Sequence, residues 1–181
     1  EIMMSILIDS KGKVFAREDL VNQNLSPVQV GNFIISYEAK QFIKAELDED
    51  NVNQLFQFIP DNMRSLCEER NLIQTQASVF KKQAEETSQS RSEASQIPHI
   101  NSGNELHFFF DGSYIIYFNI NEEHFSLIVQ AGDWLFIPAN VEHWIKRTED
   151  HYLVIVSYHC EPFEIFHTKV KYTDTKSQAF I

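Results

Sequence analysis

From residue 97 to residue 159 the chain breaks into short, β-rich apolar runs, roughly 97–101, 104–111, 113–120, 124–130, 133–137, 143–148 and 152–159. Strands this short and this closely spaced bury their apolar faces only by stacking as a sandwich or curling into a barrel. Asp111-Gly112 stands between two of the runs and marks a tight hairpin, because glycine accepts the backbone angles such a turn needs. Asn121-Glu122-Glu123 marks a second turn. Only five glycines occur, too few for the turns of a propeller, and no internal repeat is visible. The expected fold class is therefore an all-β core with added helices.

Before about residue 90 the texture is mixed. Ser5 to Asp9 reads as a strand. Arg17 to Leu25 reads as a helix, with charges in its first turn and Pro27 beyond its end. Val30 to Tyr37 is apolar and strand-like. Asp48-Glu49-Asp50 opens a helical stretch in which Val52, Leu55, Phe56, Ile59, Met63, Leu66 and Cys67 recur at helical spacing. Pro60 interrupts that run, which predicts a kink or a fresh helix start. Lys81 to Ser95 is polar and rich in serine, the best linker candidate. With 181 residues the chain suits one domain (1–181): an N-terminal α+β extension over 3–90, a β-core over 91–168 and a tail over 169–181.

The formal charge is −11. An acidic chain repels phosphate, so nucleic acid and anionic membrane surfaces are poor partners. No apolar run approaches the roughly 20 residues of a membrane-spanning helix, and the first residues lack the pattern of a secretion signal. The two cysteines, Cys67 and Cys160, form no CxxC pair. Free thiols and a cytoplasmic location are expected.

The chemistry concentrates in a few positions. His99 and Asn101 are two apart and face one side of a strand; Glu105 and His107 repeat that relation on the next stretch. Ser102-Gly103-Asn104 between them is a turn that brings the pairs together. His143 follows Gly132-Asp133-Trp134-Leu135-Phe136-Ile137-Pro138, which reads as turn, strand, turn. Two imidazoles and a carboxylate make the facial set used by non-haem iron, with positions left open for substrate and O₂. The competing reading places the same polar residues on a solvated rim of the β-core.

His99-Ile-Asn-Ser-Gly-Asn-Glu105 resembles the first cupin motif of the acireductone dioxygenase family, His-x-His-x-x-x-Glu. Gly132-Asp133-x-x-x-x-Pro138-x-x-x-x-His143 resembles the second. The strand and helix order before the barrel is similar too, so the resemblance spans nearly the whole chain. It implies a cupin barrel, a double-stranded β-helix or jelly roll. It also implies a divalent transition metal, Fe(II) foremost with Ni(II) or Mn(II) as alternatives, on His99, Glu105 and His143, with Asn101 in the fourth place. The substrate would be a small enediol or related chelating molecule, oxidised with O₂.

This sequence departs from the family at Asn101, where the family has a second histidine. His107 stands where the family has an arginine, and a second family arginine falls on Val156. Three roles are open to His107: substitute ligand, catalytic proton shuttle or substrate contact, and plain barrel lining. The departures keep two further functions open, a divergent cupin with another biosynthetic reaction and a non-catalytic binding module. His124, His151, His159 and His167 are expected at the surface and Cys67 in the core. Trp134 and Trp144 are expected in packing. The acidic run 46–50 lacks the spacing and glycine of a calcium loop.

Overall fold

The computed structural model describes residues 6–9, 14–15, 28–45, 47–80, 97–120, 122–147, 153–161 and 163–168. The helix expected over Arg17 to Leu25 and the linker expected over Lys81 to Ser95 lie outside them. The strands are β1 (Ile6–Asp9), β2 (Val14–Phe15), β3 (Gln29–Asn32), β4 (Ile73–Phe80), β5 (His99–Asn101), β6 (Glu105–Asp111), β7 (Ser113–Ile120), β8 (Glu123–Gln130), β9 (Asp133–Ile137), β10 (Glu142–Arg147), β11 (Leu153–His159) and β12 (Ile165–His167). Between β3 and β4 lie α1 (Tyr37–Lys44), a 3-10 helix (Val52–Phe58) and α2 (Asp61–Glu69).

The strands form two antiparallel sheets. One runs β12-β5-β10-β7-β8-β1-β2 and the other β3-β9-β6-β11-β4. Among the described residues no ladder of hydrogen bonds joins the sheets into a closed barrel. Strands from before residue 90 are woven into both sheets: β1 pairs with β8, β3 with β9 and β4 with β11. The Asp111-Gly112 hairpin forms as expected, with Gly112 at φ 83°.

Alternation divides the apolar residues into three layers. Between the sheets, Phe109, Phe118, Leu127, Val129, Leu135, Ile137 and Ile155 form one cluster. On the outer face of the five-stranded sheet, Leu106, Phe108, Val154 and Val156 pack against Leu55, Phe56, Met63 and Cys67 of the helical segment. Phe108 and Leu106 are completely buried there, each worth roughly 1.5–3 kcal/mol relative to exposure. On the outer face of the seven-stranded sheet, Tyr117 stacks on Trp144 with ring centroids 5.2 Å apart.

Two expectations need correction. The strand read over Val30 to Tyr37 stops at Asn32, and α1 begins at Tyr37. Asn32 donates to Asp133 Oδ1, tying off the strand end. Ser36 Oγ then accepts from Ala39 N, an N-cap that turns the chain into helix. The acidic run at Asp48 leads into a 3-10 helix and not an α-helix: Asp48 Oδ1 accepts from the backbone N–H of Asp50 and Asn51 and shapes the turn just before it. Pro60 behaves as expected, standing at the N-cap of α2.

Candidate metal centre

His99 and His143 are cross-strand partners on β5 and β10 of the seven-stranded sheet. Their rings lie 4.4 Å apart, centroid to centroid. Glu105 begins β6 in the opposite sheet and reaches across, with Oε1 2.9 Å from His143 Nε2. Asn101 shares the face of His99, two residues along β5, and is buried. The structure thus brings together all four residues that the sequence nominated.

The turn between β5 and β6 carries the chain from one sheet to the other, and hydrogen bonds hold it. Asn104 Oδ1 accepts from Ala139 N, and Asn101 O accepts from Asn140 N. These two bonds tie the first motif to the Pro138 turn of the second. Asp133, the acid of the second motif, is buried and serves a structural end: Oδ1 accepts from Asn32 and Oδ2 from Gln130 N.

Backbone carbonyls set the tautomers of both histidines. His99 Nδ1 lies 2.7 Å from Ile97 O, and His143 Nδ1 lies 2.9 Å from Val141 O. A carbonyl only accepts, so Nδ1 carries the hydrogen and a neutral ring keeps its Nε2 lone pair for the space between the sheets. This is how metal-binding imidazoles are oriented.

Burial disfavours charge on His99, and the neighbouring His143 adds to it, lowering its pKa to about 4. Burial acts the same way on His143, but the Glu105 carboxylate outweighs it and the net direction is upward. Burial would raise Glu105, yet the imidazoles of His107 and His143 hold it well below the usual carboxylate range.

Among the described residues, no group of three or more His, Cys, Asp or Glu side chains is placed so that it could hold a metal ion. Two buried acceptors nevertheless have no hydrogen-bond partner: Asn101 Oδ1 and Glu105 Oε1. Leaving such atoms unpaired costs about 1–3 kcal/mol each, and a cation would satisfy both. His143 Nε2 lies 2.9 Å from Oε1. Neighbouring ligands of an octahedral ion bound at about 2.1 Å lie about 3 Å apart, which matches that separation. On donor chemistry, two imidazoles, a carboxylate and an amide oxygen suit a divalent transition metal.

His107, Ser157 and His159 extend the site within the five-stranded sheet. Ser157 pairs with His107 and His159 with Glu105 across β11 and β6. His107 Nδ1 lies 2.7 Å from Ser157 Oγ. Its Nε2 is 3.3 Å from Glu105 Oε2, and His159 Nε2 is 3.6 Å from the same oxygen.

The surface expectation for His159 is therefore wrong. Its ring is mostly buried and lies 4.0 Å from that of Phe163. Burial first, then His107, lowers its pKa to about 4. Val156 also needs correction: it is completely buried among Leu106, Phe108 and Tyr158 on the helical side of the sheet. On β11 the residues that face Glu105 are Ser157 and His159, so no site role falls to Val156. His167 is exposed, as expected, with its ring 6.3 Å from that of His99. His124 lies on β8 opposite Asn119, away from this cluster. His151 lies outside the described residues. Cys67 is in the core, and Trp144 packs as expected.

No family model matches the chain. An acireductone dioxygenase from Leptospira biflexa serovar Patoc is 37% identical over 60 residues, covering 33% of this chain and 34% of that protein. An acireductone dioxygenase 1 from Pectobacterium atrosepticum is 44% identical over 51 residues, covering 28% of this chain and 30% of the other. The matched stretches span about a third of these relatives' length. A solved acireductone dioxygenase from Bacillus anthracis, with a cadmium ion in its active center, superposes with a TM-score of 0.71 at 16% identity. The superposition covers 93% of this chain and 96% of that one. The fold expectation is borne out, with the sheets left open.

Proposed function

We propose that this chain, whose fold matches that of a solved acireductone dioxygenase, is a metal-dependent dioxygenase acting on a small molecule with two adjacent oxygens, acireductone in the first instance. His99, His143 and Glu105 hold the ion, with Asn101 Oδ1 in a fourth place. Fe(II) is the first choice, with Ni(II) or Mn(II) as alternatives, since imidazole with carboxylate suits all three and supply decides among them. The observation that carries this reading is the pair of buried, partnerless acceptors, Asn101 Oδ1 and Glu105 Oε1, in one cluster with two imidazoles whose Nδ1 atoms are taken by backbone carbonyls.

A bound ion supplies Lewis acidity to a chelating enediolate and a redox partner for O₂. The protein does the rest. Ile97 O and Val141 O keep the two imidazole lone pairs aimed at the centre. Glu105 supplies a fixed negative charge that compensates a divalent cation. Phe118, with its ring 6.1 Å from that of His143, and Phe163 beside His159 restrict water. His107 holds its Nε2 toward Glu105 Oε2, beside the place a substrate would occupy.

A second reading has an observation of its own. Among the described residues, the groups that lower the pKa of Glu105 are the imidazoles of His107 and His143, with no Lys or Arg side chain among them. A substrate of lower charge than an enediolate dianion suits such a site, and would mark a divergent reaction.

The test is O₂ uptake by protein reconstituted separately with Fe(II), Ni(II) and Mn(II), with acireductone supplied. Consumption of O₂ at enzymatic rates supports the first reading. Bound metal without turnover supports the second. Neither metal binding nor turnover would leave the chain a binding module.

A further inference from the structure

Glu105, His107, Ser157 and His159 form a rectangle on the inner face of the five-stranded sheet, because β6 and β11 pair in a register that sets His107 opposite Ser157 and Glu105 opposite His159. The rectangle divides the two oxygens of Glu105. Oε2 faces His107 Nε2 at 3.3 Å and His159 Nε2 at 3.6 Å. Oε1 faces His143 and has no hydrogen-bond partner.

We propose that Ser157 and His107 act as a relay that holds Glu105 Oε2 and so presents Oε1 alone to the metal. His107 is then a positioning residue and not a ligand. The proposal rests on the metal-site reading above and adds to it the role of two residues on adjacent strands. A carboxylate only accepts, so the contact at Oε2 requires a hydrogen on His107 Nε2. In the neutral ring Nδ1 is then the acceptor, and Ser157 Oγ, at 2.7 Å, donates to it. Ser157 thereby selects the tautomer that can hold Oε2.

The consequence is a count of open positions. A carboxylate bound through one oxygen occupies one place on the ion, and through two oxygens it occupies two. With His99, His143, Asn101 and a single oxygen of Glu105, a six-coordinate ion keeps two places free. Those two places are what a substrate with two adjacent oxygens requires. A Glu105 released from His107 could close over one of them.

The test uses Co(II) alone as the probe, read by its visible ligand-field spectrum and by its affinity, with circular dichroism to confirm folding. Ser157→Ala should weaken Co(II) binding about tenfold, as loss of outer hydrogen bonds does at other metal sites, and shift the spectrum. His107→Gln keeps an N–H that can reach Oε2, and should hold affinity within about threefold of wild type with the same spectrum. His107→Leu should lose at least as much as Ser157→Ala. Equal loss in the Gln and Leu variants would make His107 a ligand and overturn the relay. Wild-type affinity and spectrum in both Ser157→Ala and His107→Leu would also overturn it, while leaving the metal site standing. Wild-type protein that takes up no Co(II) would remove the metal-site reading and the relay together.

Discussion

His143 Nε2 and Glu105 Oε1 meet at 2.9 Å between the two sheets, one carried by β10 and the other by β6. Burial makes charge on each costly, and Glu105 Oε1 has no hydrogen-bond partner although His107 on the same strand faces Oε2. A cation relieves both at once. The first prediction follows from linkage: a ligand that binds only the folded state stabilises it. Fe(II) or Co(II) at about 100 times its dissociation constant adds roughly 2.7 kcal/mol, which raises Tm by roughly 5–10 °C for a chain of this size. Differential scanning fluorimetry with and without metal measures it, and a chelator should reverse it.

Acid should destabilise the metal-free protein. His99 and His159 move from 6.5 to about 4 on folding. Between those values the unfolded chain takes up protons that the folded chain refuses, so stability rises with pH across that window and falls as pH drops through it. His143 runs the other way: its raised pKa gives stability at low pH that is lost as pH rises through its folded value. Two groups oppose one. Below 4.5, Glu105 adds to the acid loss, because its folded pKa is depressed. Urea midpoints at pH 7 and pH 4.5 should differ, with the lower midpoint at pH 4.5.

Val156 lies against Leu106, Phe108 and Tyr158 on the helical face of its sheet. Val156→Arg should therefore fail to place a guanidinium in the site. It should bury an unpaired charge among apolar side chains and destabilise the fold by about 3–5 kcal/mol. Equilibrium unfolding measures the loss. A folded variant of wild-type stability would show that β11 presents position 156 to the other face.

Gly31 sits under Trp134 so closely that an added Cβ would meet the indole Cε2 at 1.9 Å. The ring is partly buried against the helical core, so it has little room to retreat. Gly31→Ala should cost about 1–3 kcal/mol, the usual range for overpacking. A shift in the Trp fluorescence maximum should accompany the lower unfolding midpoint.

The strands from β5 to β11 were legible because alternation and turn residues are local signals. His99, Asn101, Glu105 and His107 were legible as a group because a spacing of two fixes a common face. β4 and β12 were not foreseen. β4 carries the same alternation, with Gln74, Gln76 and Ser78 between Ile73, Ala77 and Val79, so its signal was present in the sequence; β12 has three exposed residues with no buried face to mark it. The end of β3 was misplaced because Phe33, Ile34 and Ile35 extend the apolar run past the last paired residue. The Ser36 cap, with Glu38 in the first turn of α1, is the signal that could have corrected it. His159 was missed for a deeper reason. Its place beside Glu105 comes from the pairing of β11 with β6, 54 residues apart. A register error of one residue reverses every side chain on a strand. That single step separates Val156, in the helical core, from Ser157, at the site.

The central claim is that His99, Glu105 and His143 hold one metal ion. Metal analysis after reconstitution with Fe(II) and removal of excess tests it most directly, on wild type and on folded Glu105→Ala and His143→Ala variants. The account predicts about one ion per chain in wild type, and a loss of affinity of at least tenfold in each variant. Wild-type protein that retains no metal, or variants that retain as much as wild type, would contradict it.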